Sequence, residues 1–179
     1  MLKQADGLKI YRQGKPLYRG PLTGAPHAPS VPAVVLHMAK YPHNVGQAVR
    51  ILSCYGLRDL WVTGGRVELE PYEGYRLPRE ERMRGYGDVC LLDYEDPLSA
   101  LREMGQDFTP VAVELVPHAE TLPDFVHPHN SVYIFGPEDG TLPGSVLKRC
   151  HRFVRVPTLH CLNLACAVGT VLYDREAKR

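Results

Sequence analysis

The stretch of sequence that decides the fold is Pro32-Ala-Val-Val-Leu-His-Met38, a short and almost continuous apolar run. A strand with one face in water would alternate apolar and polar residues, so this run predicts a strand that is buried on both faces. Such strands belong to parallel sheets whose faces are covered by helices. We therefore expect an α/β fold.

Similar runs recur along the rest of the chain, and segments with helical periodicity separate them. The further predicted strands are 60–63, 88–92, 111–116, 131–135 and 152–156, and the predicted helices are 44–55, 95–104, 121–126, 143–149 and 163–177. Strands that alternate with helices form a mostly parallel sheet. The sequence thus predicts one α/β domain over residues 32–179, with a six-stranded sheet flanked by helices.

The first 31 residues have a different composition. They are rich in glycine and proline and carry five basic side chains, which are Lys3, Lys9, Arg12, Lys15 and Arg19. This pattern predicts a basic extension over residues 1–31 that packs poorly. Its role stays open between a solvated tail and an arm that follows the phosphates of a nucleic acid.

The overall composition restricts the class of protein. The 179 residues carry a formal net charge of only +1, so a nucleic-acid surface would have to arise from local clusters of Lys and Arg. No segment has the apolar core of a signal peptide, and no apolar run approaches the ~20 residues that span a bilayer. We expect a soluble, cytoplasmic protein without a membrane partner.

The five cysteines form neither a disulfide pattern nor a metal-binding pattern. No CxxC pair is present, and the cysteines of an intracellular chain are expected to be reduced. Cys150-His151 and His160-Cys161 are the nearest approach to a set of zinc ligands. Each dipeptide abuts a predicted strand, where neighbouring side chains point to opposite faces. We therefore predict that the protein binds no metal.

Several common cofactor and nucleophile motifs are missing from the sequence. The chain contains no GxGxxG, GxxxxGK[ST], GxSxG or HExxH, which argues against a Rossmann site, a P-loop, a hydrolase elbow and a zinc protease. A hydrolase that pairs one of the cysteines with a histidine stays open as a distant alternative, although no local signature supports it.

Three polar segments follow predicted strands, where open α/β sheets bind their ligands. They are Asn44-Val-Gly-Gln-Ala-Val-Arg50 at a helix start, Phe135-Gly-Pro-Glu-Asp-Gly-Thr-Leu142 in a tight turn, and Val156-Pro-Thr-Leu-His-Cys-Leu-Asn163 before the last helix. Taken singly, each has a structural explanation. The first is typical of a capped helix with a surface arginine, the second of a turn, and the third of a helix cap.

Together and in this order, the three segments resemble the motifs of the SpoU-type RNA ribose methyltransferases of the SPOUT superfamily. The resemblance covers roughly residues 33–177. It implies an α/β fold with a deep trefoil knot in the C-terminal third, a homodimer, and S-adenosyl-L-methionine (SAM) as the cofactor. It also implies an enzyme that methylates a ribose 2′-hydroxyl of tRNA or rRNA.

The resemblance also assigns roles to individual residues. Asn44 and Arg50 are expected to be catalytic, with Glu138 supporting them and Asn163 holding the site together. The residues expected to bind SAM, several of them through the backbone, are Glu114, Leu115, Gly136, Val156, Cys161 and Leu162. Because a guanidinium has a pKa above ~12, Arg50 is a poor base, and we expect it to clamp a phosphate and stabilise alkoxide charge.

Two positions depart from the family pattern. The second motif usually reads G-x-E-x-x-G-L, whereas here Gly140 comes one place early and Thr141 occupies its slot. The third motif usually contains Ser-Leu-Asn, whereas here the serine is replaced by Cys161. A thiol is a weaker hydrogen-bonding group than a hydroxyl, so any role of that hydroxyl is in question.

A basic and aromatic stretch between the second and third strands is the predicted RNA contact. It contains Arg76, Arg79, Arg82 and Arg84 together with Tyr72, Tyr75 and Tyr86, and such side chains hold phosphates and stack on bases. An ordinary charged loop is the alternative for this stretch.

For the whole protein, the alternatives are methylation of an RNA base and an RNA-binding member of the family without catalysis.

Overall fold

A computed structural model describes residues 30–67 and 89–179, and in addition the backbone of residues 9–12 and 15–16. The helices within these ranges are α1 (Pro42–Cys54), α2 (Pro97–Met104), α3 (Gly144–Leu147) and α4 (Leu164–Ala177). The strands are β1 (Lys9–Arg12), β2 (Lys15–Pro16), β3 (Ala33–His37), β4 (Asp59–Thr63), β5 (Cys90–Tyr94), β6 (Thr109–Val113), β7 (Glu120–Thr121), β8 (Ser131–Phe135) and β9 (Arg152–Arg155). They form one sheet in the order β2-β1-β5-β4-β3-β8-β6-β9-β7.

The α/β class and the parallel sheet are confirmed. All six predicted strands are present as β3, β4, β5, β6, β8 and β9, and they pair in parallel. The predicted count of six is wrong, because three short strands lie at the two edges of the sheet. These strands were not predicted for two reasons. The two residues of β7 are too few to show a periodic pattern, and the sequences of β1 and β2 contain charged residues and form no apolar run.

β1 and β2 come from the predicted N-terminal extension. β1 pairs in parallel with β5, and β2 pairs with β1 in the antiparallel direction. The remaining residues of 1–29 lie outside the described ranges. The division of the chain at residue 32 therefore stays a prediction, as does the trefoil knot.

The core is divided between the two faces of the sheet. In β3, Val34 and Leu36 pack into the cluster that α1 and α4 cover, whereas Ala33 and Val35 pack into the cluster beneath α2 and α3. All four side chains are at most 1% exposed. Successive side chains of a strand point to opposite faces, so the continuous apolar run of β3 is what a strand between two helical layers requires.

The last helix is fastened to the sheet by Arg175, a charged side chain that is only 3% exposed. Its guanidinium donates to the backbone carbonyls of Pro128 and His129 at 2.7 and 2.6 Å. It also donates to the hydroxyls of Ser131 at 3.0 Å and Tyr133 at 3.3 Å. Because a buried cation must find hydrogen-bond acceptors, these contacts fix α4 against β8. The start of α4, where Asn163 lies, is positioned with it.

The carboxyl ends of β3, β8, β6 and β9 lie side by side, because these strands are neighbours and run in the same direction. The three polar segments predicted from the sequence follow β3, β8 and β9. Within the described part of the chain, no helix is long and apolar enough to cross a membrane.

Candidate active site

Two asparagines and a glutamate form a chain of hydrogen bonds at the carboxyl ends of the central strands. The Nδ2 of Asn163 donates to the Oδ1 of Asn44 at 2.9 Å, and the Nδ2 of Asn44 donates to the Oε1 of Glu138 at 2.6 Å. Asn44 is only 1% exposed. One residue from each of the three sequence motifs therefore takes part in a single network.

The cap of α4 sets the direction of these hydrogen bonds. The Oδ1 of Asn163 accepts from the backbone N–H of Ala165 at 2.9 Å and of Cys166 at 3.3 Å. Its NH₂ group must therefore face Asn44, which leaves the carbonyl of Asn44 as the acceptor. The NH₂ group of Asn44 then faces the carboxylate of Glu138. The predicted cap of α4 is confirmed.

Asn44 itself does not cap α1, contrary to the sequence prediction. The helix begins at Pro42, and its N-cap residue is Tyr41. Proline is favoured in the first turn because its missing N–H has no partner to lose there. The side chain of Asn44 is consequently available for the contacts with Glu138 and Asn163.

Glu138 is held from two directions. Its second oxygen, Oε2, accepts from the backbone N–H of Lys40 at 2.9 Å. Lys40 lies between β3 and α1, so the carboxylate connects the loop after β8 with the loop after β3. Both oxygens of Glu138 therefore accept a hydrogen bond.

Asp139 forms a second connection between the same loops. The guanidinium of Arg66 donates to both of its oxygens, at 2.5 and 2.7 Å, and the Nζ of Lys40 lies 3.2 Å from Oδ2. The hydrogen bonds from Arg66 and then from Lys40 hold the pKa of Asp139 well below its usual range. A bidentate arginine–carboxylate pair fixes geometry as well as charge, so the turn that carries Glu138 is fastened next to β4.

A cavity opens beside this network, between the ends of β8, β6 and β9. Its lining residues are Val113, Glu114, Leu115, Phe135, Gly136, Pro137, Glu138, Gly140, Arg155, Val156, Thr158, Cys161, Leu162, Leu164 and Ala167. All six residues predicted to bind the cofactor are among them. Glu138 lines the cavity and also belongs to the hydrogen-bond network, so the two features form one site.

The wall of the cavity is tight at Gly136. The Oε2 of Glu114 accepts from the backbone N–H of Leu142 at 2.9 Å, and the Oε1 of Glu114 accepts from the N–H of Leu115 at 2.9 Å. A Cβ on Gly136 would lie 3.2 Å from the Oε2 of Glu114 and 3.3 Å from the backbone nitrogen of Leu142. The glycine is therefore needed for close approach, and bare backbone forms this part of the wall.

The two departures from the family motifs both fall at the cavity. Gly140 lines it although the glycine comes one place early, and Leu142 is only 2% exposed, so the shifted turn is still anchored in the core. Cys161 lines the cavity in place of the usual serine and lies in an exposed loop.

Arg50 lies apart from the cavity. It is exposed on α1, on the stripe that also carries His43, Gln47 and Cys54, and it does not line the cavity. It lies six positions after Asn44, which places the two side chains about 120° apart around the helix axis. The structure therefore brings Asn44, Glu138 and Asn163 together, while Arg50 faces solvent on the neighbouring surface.

The predicted RNA-binding residues Arg76, Arg79, Arg82 and Arg84 lie outside the described residues. In the ranges 30–67 and 89–179, no group of three or more His, Cys, Asp and Glu side chains is arranged to hold a metal ion.

Several polar residues of the site were given no role by the sequence, among them Lys40, Arg66, Asp139 and Arg155. Asp139 lies inside the second motif and Arg155 precedes the third, so both had a signal in the sequence. Arg66 gave none, because its partner Asp139 lies 73 residues away in the sequence.

A family model and a curated protein both match most of the chain. The model of the SpoU rRNA Methylase family matches residues 32–173. An uncharacterized tRNA/rRNA methyltransferase of Synechocystis sp. is 28% identical over 154 residues, which cover 82% of this chain and 52% of that protein. The chain therefore spans about half the length of this curated relative.

Two solved structures have a similar fold, each at 19% sequence identity. One was solved for structural insights into the 2-OH methylation of C/U34 on tRNA. Its TM-score is 0.64, and the match covers 96% of this chain and 92% of that one. The other is the SpoU methyltransferase AviRb from Streptomyces viridochromogenes in complex with AdoMet, with a TM-score of 0.66 and coverage of 86% and 62%. The family match spans most of the folded chain and includes all three motifs, and on this basis the protein belongs to the SpoU rRNA methylase family.

Proposed function

We propose that this protein transfers a methyl group from SAM to a ribose 2′-hydroxyl of tRNA or rRNA. Membership of the SpoU family supports RNA methylation. The observation that carries the proposal is the position of Glu138, which lines the cavity while it holds Asn44 by a 2.6 Å hydrogen bond. A small-molecule cavity thus adjoins a partly buried polar network, which is the arrangement expected of an active site.

The residues around the cavity fit SAM. Apolar walls from Val113, Phe135, Leu162, Leu164 and Ala167 suit the faces of an adenine ring. The carboxylates of Glu114 and Glu138 suit the positive charge of a sulfonium. When bound, SAM supplies a methyl group on that sulfonium as the electrophile. Glu114, Leu115, Gly136, Val156, Cys161 and Leu162 would hold it, several of them through the backbone.

The task of the protein is then chiefly to position the ribose. Asn44, Glu138 and Asn163 form a rigid support, because the cap of α4 fixes the orientation of both amides. Arg50, on the exposed face of α1, would clamp a phosphate next to the reacting ribose and stabilise the charge that develops on its 2′-oxygen. The proton of the hydroxyl would pass to that phosphate or to water, because a guanidinium is a poor base.

RNA is the proposed substrate because DNA lacks the 2′-hydroxyl. Arg76, Arg79, Arg82 and Arg84 are proposed to bind its phosphates. A homodimer is also proposed, on the ground of the family resemblance. Light scattering on the purified protein tests the dimer, and a monomeric mass at working concentration would contradict it.

The reaction is tested with labelled SAM and two substrates, total tRNA and total rRNA. After digestion to nucleosides, mass spectrometry locates the methyl group. We expect label in 2′-O-methylnucleosides from one of the two RNA pools. Label in a methylated base would replace the ribose proposal with base methylation. Binding of RNA without any binding of SAM would indicate a member of the family without catalysis.

A further inference from the structure

We propose that Arg155 binds the carboxylate of the methionine part of SAM and thereby sets the direction in which SAM lies in the cavity. This inference rests on the proposed function, since it assumes that SAM is the ligand. Arg155 is the last residue of β9 and lines the cavity next to Val156.

The guanidinium of Arg155 has no hydrogen bond or ion pair to any residue in the described ranges, although the side chain is partly buried. It carries five N–H donors in a fixed fork. Withdrawing such a group from water without an acceptor is unfavourable, so an anion in the cavity would stabilise it. A carboxylate matches the fork with two parallel hydrogen bonds.

The two other charged groups that line the cavity are the carboxylates of Glu114 and Glu138. Neither offers Arg155 an ion pair in the structure. Both oxygens of Glu114 accept from backbone N–H groups, and both oxygens of Glu138 accept from Lys40 and Asn44. Glu114 lies on the strand next to Arg155, since its backbone N–H donates to the carbonyl of Val154 at 3.0 Å, but its carboxylate is engaged elsewhere.

The strand order places Glu138 and Arg155 at opposite ends of the cavity. Glu138 follows β8 and Arg155 ends β9, with β6 between them. Neighbouring strands lie about 4.8 Å apart, so two steps across the sheet separate the two positions by roughly 10 Å. Among the described residues, the end with Glu138 carries no cation of the lining and adjoins Asn44 and Asn163. The other end carries Arg155, the one cation among the described residues that line the cavity, next to Glu114.

SAM carries a positive sulfonium and a negative carboxylate a few bonds apart. The charges of the cavity favour one orientation, with the carboxylate towards Arg155 and the sulfonium towards Glu138. In that orientation the methyl group lies at the end of the cavity where the network of Asn44, Glu138 and Asn163 stands. An RNA phosphate is a less suitable partner for Arg155, because the side chain lies inside the cavity wall among Val113, Glu114 and Val156.

The test compares the binding of SAM and decarboxylated SAM by calorimetry, without RNA. Arg155→Met removes the charge at similar volume, and Arg155→Lys keeps a charge without the fork. The matched control is Arg149→Met, an exposed arginine that does not line the cavity. Melting temperatures of all variants establish that they are folded.

In the wild-type protein, SAM is expected to bind about 10- to 100-fold more tightly than decarboxylated SAM, as for a hydrogen bond to a charged group. Arg155→Met should lose that preference, with weaker binding of SAM and an unchanged affinity for decarboxylated SAM. Arg155→Lys should retain part of the preference, and Arg149→Met should retain all of it.

Equal affinities of the wild-type protein for the two compounds, or an equal loss of both in Arg155→Met, would overturn the inference and leave the proposed function standing. Weaker RNA binding in Arg155→Met, with SAM binding unchanged, would also overturn it and assign Arg155 to a phosphate. A wild-type protein that does not bind SAM at all would overturn both proposals.

Discussion

The side-chain NH₂ group of Asn163 donates to the carbonyl oxygen of Asn44 at 2.9 Å, across 119 residues of sequence. The same side chain caps α4 through its carbonyl oxygen. One residue thus performs a local task, at the start of a helix, and a long-range task, in the orientation of Asn44. The two tasks can be separated by mutation, because each uses a different atom of the amide.

Asn163→Asp should retain the cap and break the network. The carboxylate still accepts from Ala165 and Cys166, but it presents an acceptor instead of a donor to the carbonyl of Asn44. The hydrogen bond is partly buried and its acceptor, Asn44, is buried. Leaving a buried acceptor without its donor costs about 1–3 kcal/mol, so we expect methyl transfer to fall about tenfold or more. Activity is measured with labelled SAM, and stability by urea unfolding.

Asn163→Ala is the matched comparison. It removes both the cap and the contact with Asn44, and the loss of a cap destabilises a protein by about 1 kcal/mol. We therefore expect Asn163→Ala to unfold at a lower urea concentration than Asn163→Asp, with activity reduced in both. Wild-type activity in Asn163→Asp would show that the contact with Asn44 has no role in catalysis.

The ion cluster around Asp139 predicts a dependence of stability on pH. The pKa of Asp139 in the folded protein lies below its unfolded value, chiefly because Arg66 donates to both of its oxygens. The cluster should therefore stabilise the fold above the unfolded pKa of about 4, and this contribution should disappear as the pH falls through the lower folded pKa.

Asp139→Asn measures that contribution. Wild-type protein should be more stable than the variant at pH 7, and the difference should shrink as the pH is lowered below about 4. Added salt should reduce it too, because the charges are partly exposed. Asp107→Asn, at another exposed aspartate, is the control. A stability difference that does not vary with pH would show that the carboxylate charge is unimportant.

Gly136→Ala should damage the cavity wall. The added Cβ would press on the backbone nitrogen of Leu142, which cannot move as freely as a side-chain end, and on the carboxylate of Glu114. Overpacking of this kind costs about 1–3 kcal/mol, and we expect weaker binding of SAM together with a lower melting temperature. Gly144→Ala is the control, because its Cβ would meet open space. Equal effects of the two substitutions would exclude the tight wall as the cause.

The fold could be predicted from the sequence because its signals are local. The runs that became β3 and β8 are apolar except for His37 and Ser131, and their burial on both faces follows from that pattern. The short edge strand β7 was missed because two residues carry no periodicity. The start of β6 was predicted two residues late, since Pro110 lies inside the strand and a proline there argues against strand structure.

The candidate site could be predicted only in part, because its contacts are long-range. The position of Asn44 resembled that of a helix cap. No neighbouring residue in the sequence indicated that its side-chain amide would form hydrogen bonds with Glu138 and Asn163. The pairing of Arg66 with Asp139 has no sequence signature for the same reason. The family motifs predicted which residues form the site, whereas the direction of the hydrogen bonds needed the structure.

Arg50→Lys separates the proposed phosphate clamp from general effects of charge. Lysine keeps the positive charge but lacks the planar fork that binds phosphate with two hydrogen bonds. We expect methyl transfer to fall about 10-fold or more, in line with the loss of a charge-assisted hydrogen bond. SAM affinity should not change, because Arg50 does not line the cavity. Arg58→Lys, at an exposed arginine before β4, should behave as wild type. Full activity of Arg50→Lys would rule out the clamp, and a loss of SAM binding would mean that Arg50 reaches the cofactor after all.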